Sequence, residues 1–153
     1  MKKFNYYCGA VVLFIFTTLS CSSDDKKAAP VEDTTAIVNT VSQGTWRVTN
    51  YIDHTLNQTD HFTGYIFTFG SGNVLTATIG TNNIAGTWSV TNTNSSDDSP
   101  EDPIDFNIAF TAPADFEDIN DDWDIVSRTA TKIELIDVSG SSDNTDYLTF
   151  EKN

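Results

Sequence analysis

The chain has 153 residues with 8 basic and 22 acidic side chains, a formal charge of −14 at neutral pH. That balance makes nucleic acid and anionic lipid headgroups poor partners. The length fits one domain, and aromatics at 12% of residues supply large apolar surfaces for a single core.

Lys2 and Lys3 form a positive start, the run from Cys8 to Leu19 is apolar, and small Ser20 precedes Cys21, the order of a secretory signal. The segment is too short and one-sided for a spanning helix. Residues 1–20 are expected to be a signal peptide. Its removal takes Cys8 and leaves one thiol, Cys21, so no internal disulfide can form. The junction resembles the bacterial lipobox, with Thr18 where that family usually has Leu. The resemblance implies that Cys21 carries a thioether-linked diacylglycerol, usually with a third acyl chain on its nitrogen, and that this covalent lipid is the chain's only prosthetic group unless calcium is added to it. Each buried methylene contributes about 0.8 kcal/mol, and two or more chains anchor stably. Ser22-Ser23-Asp24-Asp25 is similar to the short acidic signal with which some Gram-negative bacteria send lipoproteins across the outer membrane. It implies an outer-membrane lipoprotein displayed at the cell surface.

Without the leader the chain keeps 6 basic against 22 acidic side chains, a formal charge of −16, which suits a solvated surface outside the cell. From Ser22 to about Val41 there is no apolar periodicity, so residues 21–42 are expected to be the lipidated cysteine and a flexible tether. Within it, Asp33-Thr34-Thr35 resembles a three-residue O-glycosylation acceptor, with Thr34 as the acceptor.

Residues 43–153 read as one all-β domain. Trp46, Val48 and Ile52 alternate with Arg47, Thr49 and Tyr51, and Tyr65, Phe67 and Phe69 share a face opposite Ile66 and Thr68. Ser71-Gly72-Asn73 turns the chain into Leu75, Ala77 and Ile79; Thr81-Asn82-Asn83 turns it again into Ile84, Gly86, Trp88 and Val90. A polar loop from Thr93 to Pro103 follows, then the cleanest alternation in the chain, Ile104, Phe106, Ile108 and Phe110. Phe116 and Ile119, three apart, predict one helical turn over a barrel end. Strands at Trp123 to Arg128, Lys132 to Val138 and Asp146 to Lys152 complete the set. Eight sequential strands with mostly short connections predict an antiparallel up-and-down barrel, which buries every apolar face and leaves no edge.

Gly44-Thr45-Trp46 is similar to the Gly-x-Trp opening of lipocalins and of short lipocalin-like domains of bacterial lipoproteins. The resemblance implies that Trp46 closes the barrel beneath a basic side chain from a late strand, for which Lys152 is the candidate. An eight-stranded interior is just wide enough for side chains to fill or for one small ligand. Trp46, Phe67, Phe69, Trp88, Phe106, Phe110, Trp123 and Phe150 are expected to point inward, which favours filling.

Signatures of catalysis are missing: there is no Gly-x-Ser-x-Gly elbow, no phosphate-cradling glycine loop and no histidine pair at helical spacing. No enzyme is expected. His54 and His61 stand in the first connection beside Asp53 and Asp60 at no recognised ligand spacing, and read as solvated loop residues. Acids crowd the connection from Asp115 to Asp124, where Asp118, Asp121 and Asp122 are candidate calcium ligands in a mainly solvated rim. Two functions follow. One is a module binding a small apolar or glycan ligand or another surface protein; the other is a filled barrel serving as a structural or interaction element.

Overall fold

A computed structural model describes residues 34–92, 104–139 and 144–153. The leader, Cys21, the Ser22 to Asp25 signal and the loop from Thr93 to Pro103 lie outside the described residues. Within them are helices α1 (Thr34–Val41) and α2 (Ala114–Glu117). The strands are β1 (Trp46–Asp53), β2 (Leu56–Asn57), β3 (Ile66–Phe69), β4 (Val74–Ile79), β5 (Asn82–Asn92), β6 (Ile104–Phe110), β7 (Asp121–Arg128), β8 (Lys132–Val138) and β9 (Thr145–Lys152). All pair antiparallel in the order β1-β3-β4-β5-β6-β7-β8-β9, and β9 pairs back to β1, so eight strands close a barrel. β2 hangs on the end of β1 as a one-turn hairpin outside the closed ring.

The alternation places the core as read. All eight aromatics expected inside are buried, and Ile66 and Thr68 face solvent opposite Phe67 and Phe69. In β1 the reading is corrected: a bulge between Val48 and Asn50 shifts the register, so Tyr51, at 1% exposure, points inward and Ile52 outward. The β4–β5 turn is also tighter than Thr81-Asn82-Asn83. Ile79 pairs with Asn82, and Gly80 takes the left-handed φ of 58° that a two-residue hairpin requires. Gly86 is fixed by close approach, because a Cβ there would stand 2.6 Å from the ring of Phe110, its cross-strand partner.

Both ends of the barrel are plugged. At one end lie the single helical turn α2 and a 3-10 turn over Thr59–Phe62. Phe116 from α2 packs edge-on against Phe62, Tyr65 and Phe110 at centroid distances of 5.2, 4.9 and 5.0 Å, and stacks on Phe67 at 6.0 Å. Asn120 then latches this segment to β6, accepting from the Phe110 N–H and donating to its carbonyl.

The other plug comes from the last residues of the span expected as a tether. Thr34–Val41 is helical, and Ile37 and Val41, one turn apart, are completely buried. Its β-branched residues favour a helix weakly, and two apolar positions are too few to show a period. Packing holds it: the Trp46 indole N–H donates to the Val41 carbonyl at 2.8 Å inside the core. The packed unit therefore includes residues upstream of the expected start at residue 43. Burial of Ile37 and Val41 contributes about 1.5–3 kcal/mol each. A chain beginning at residue 43 should be less stable than one beginning at residue 34 by about 3–6 kcal/mol, as urea unfolding would measure.

Candidate functional site

The strands that close the barrel present different chemistry at their two ends. At the first, Trp46 pairs in register with Lys152. The Lys152 ammonium stands 5.0 Å from the indole centroid and donates to the Ala130 carbonyl at 3.0 Å. Arg47 adds bonds to the Lys152 carbonyl at 2.9 Å and to Glu151 at 3.0 Å. The pair is cation over aromatic at a seam, and its chemistry is structural.

The second end is acidic. Because Ile52 pairs with Tyr147 and Asp137 with Asp146, the carboxylates of Asp53, Asp146 and Asp137 stand in a cross-strand row on β1, β9 and β8. Asp121 begins the neighbouring strand β7. Burial, reinforced by Asp122 and Asp137, lifts its carboxyl to about 6. Tyr51, whose hydroxyl donates to the Asp118 carbonyl at 2.6 Å, is held far above its usual range by burial and then by Asp53, Asp146, Asp118 and Asp121.

His54 is placed against this row. It occupies the tight link from β1 to β2 with φ of 56°, a conformation in which histidine is enriched among non-glycine residues. Its backbone N–H donates to Asp146 Oδ1 at 2.7 Å. Its Nδ1 lies 2.8 Å from the same oxygen and 2.9 Å from Asp53 Oδ1. The hydrogen bond to Asp146 raises the imidazole above its ordinary value. Asp53 is oriented by Gln58, whose amide donates to its other oxygen at 2.7 Å. Asp146 lies 92 residues from His54, so local spacing carried no sign of the pairing.

The three aspartates expected as calcium ligands are not brought together. Asp118 gathers with His61 and Asp115 in a fully exposed group. Asp121 and Asp122 begin β7 and lie against each other, the Asp122 N–H donating to Asp121 Oδ1 at 2.9 Å, but among the described residues no cluster within ligand distance joins them to Asp118. Thr34, the candidate glycosylation acceptor, is the first residue of α1 and half-buried; Asp33 before it lies outside the described residues. A surface groove of about 390 Å³ runs between α1 at Val38 and Ser42, the turn at Gly70–Asn73, and β5 from Trp88 to Thr91.

No protein-family model matches the chain, and no curated protein matches it. Among solved structures it is similar to the crystal structure of a duf4847 family protein from Bacteroides vulgatus ATCC 8482, at 16% identity and a TM-score of 0.45, covering 76% of this chain and 97% of that one.

The electrostatics of β7 set a pH dependence. Asp121 titrates near 6 in the fold against an ordinary 3.8. Its neutral form is favoured, a contribution complete below 3.8 and lost as pH rises through 6. After discounting for solvent screening, the charged form costs on the order of 1 kcal/mol at neutral pH. Asp121→Asn should raise the melting temperature by about 4 °C near pH 7.5, with the gain vanishing below about pH 4, as calorimetry across pH would read.

Proposed function

We propose that the chain is a lipoprotein held in the outer membrane by acyl chains on Cys21, exported to the cell surface through Ser22 to Asp25, with a filled barrel that acts as a non-catalytic interaction or spacer module. The observation that carries the second half is the occupied interior. Trp46, Tyr51, Phe67, Phe69, Phe106 and Phe150 are each at most 1% exposed, and α1 and Phe116 plug the two ends. A lipocalin-like carrier needs an open mouth and a hollow; here aromatic rings occupy that volume. Contacts to a partner then fall to the outer faces and rims, where an acidic domain favours basic or cation-bridged surfaces.

The groove between α1 and β5 favours a second reading. Its roughly 390 Å³ falls in the range of small-ligand sites, so an apolar or glycan fragment would lie outside the barrel, against Trp88 and Val90, instead of within it.

Labelled palmitate incorporated by the wild type and lost in Cys21→Ser would support the anchor, and membrane retention of unlabelled Cys21→Ser would refute it. Protease applied to intact cells should degrade the wild type and spare a chain carrying Asp24→Ala and Asp25→Ala. Protection of both chains would move the protein to the periplasmic leaflet.

A further inference from the structure

From the closing seam of the barrel we infer that Asp53, His54 and Asp146 form a binding site for a divalent transition-metal ion of borderline softness, with zinc as its probe. The three ligand atoms converge from two segments distant in sequence, and all lie within 4.8 Å of one another. The carboxylate oxygens stand 2.8 and 2.9 Å from Nδ1, the spacing of a shared proton; replacing that proton with an ion needs a widening of only about 0.5 Å to reach the edge of a tetrahedral site with bonds of about 2.0–2.1 Å. One imidazole nitrogen with two carboxylates suits zinc, manganese or iron in the divalent state. Calcium and magnesium take oxygen ligands and are disfavoured by the imidazole.

The supports of the site are those a metal ligand set requires. Gln58 occupies Asp53 Oδ2 and turns Oδ1 toward His54, and the His54 backbone N–H fixes Asp146 Oδ1. Asp146 has 17% of its side chain exposed and Asp53 32%, while His54 is half open at 49%. An ion therefore has a path in and room for water in its remaining positions. Asp137 stands opposite Asp146 across the strands, so the row carries more negative charge than one imidazolium offsets, and a dication neutralises it more fully.

Zinc titrated into the intact, chelator-treated chain near neutral pH should bind at one ion per chain and raise the melting temperature, with calcium giving no shift at equal concentration. His54→Asn keeps a residue that tolerates the left-handed backbone, and Asp146→Asn keeps the acceptor for the His54 N–H. Each should weaken zinc binding about tenfold or more, while His61→Asn leaves it unchanged. The chain has two histidines, so the imidazole resonances of the wild type give an answer even where a variant fails to fold: zinc should move those of His54 and leave those of His61. No binding, an equal response to calcium, affinity retained in both His54→Asn and Asp146→Asn, or a shift confined to His61 would each overturn the assignment.

Discussion

The pairing of β1 with β9 is the interaction on which the molecule depends. It joins the first long strand to the last from Trp46 opposite Lys152 to Ile52 opposite Tyr147, and turns an open sheet into a barrel. Without it, two strands would expose unpaired backbone and the aromatic faces would have nothing to close over. The same seam sets both chemical ends of the protein. One end sets Lys152 over Trp46; at the other, one step beyond the Ile52–Tyr147 pair, Asp53 and Asp146 meet and His54 folds over them. The bulge between Val48 and Asn50 links the two, because it turns Tyr51 inward, where its hydroxyl reaches the segment after α2.

Filling the interior has a consequence for rigidity. Rings run from Phe62 through Phe116 and Phe67 to Phe150, Phe69 and Phe106, edge-to-face at every step but the stacked Phe116–Phe67 pair, a continuous aromatic column along the barrel. Each ring is held by several others, so the interior resists the local opening that ligand entry requires. A module of this kind presents a fixed outer surface. Its rim carries carboxylates, among them Asp53, Asp137 and Asp146.

Most of the barrel was legible because a strand with one buried face repeats every two residues; Tyr65 to Phe69 obeys that period, and Ile104 to Phe110 departs from it only at Asp105, which is itself buried. The turn of Phe116 and Ile119 was legible from their spacing alone. What escaped was whatever tertiary packing decides. Helix α1 has two core residues and poor intrinsic propensity, and it exists because Trp46 and the barrel end receive it. The bulge in β1 leaves no mark in composition, so Ile52 and Tyr51 exchanged faces. Clustering in sequence is not clustering in space: Asp118 gathers with His61 and Asp115, while Asp121 and Asp122 stand together at the start of β7. His54 was dismissed on its spacing from His61, although its partner came from the far end of the chain.

Natural domains keep like charges apart on neighbouring strands, and this barrel does so at the Trp46 end, where Arg47 faces Glu151. At the opposite end it does the reverse. Asp53, Asp146 and Asp137 are set side by side, Asp121 is partly desolvated next to them, and Tyr51 is pressed against the same field. A strand register can be kept with Asn or Thr at any of these positions at no cost in pairing, so the fold does not demand the carboxylates. Departures from local consistency of this kind concentrate where a protein acts. The tolerance is available because the aromatic column and the Trp46 closure stabilise the barrel independently of its acidic rim. The division places stability at one end of the seam and cation chemistry at the other, with His54 as the residue that joins the rim to the fold.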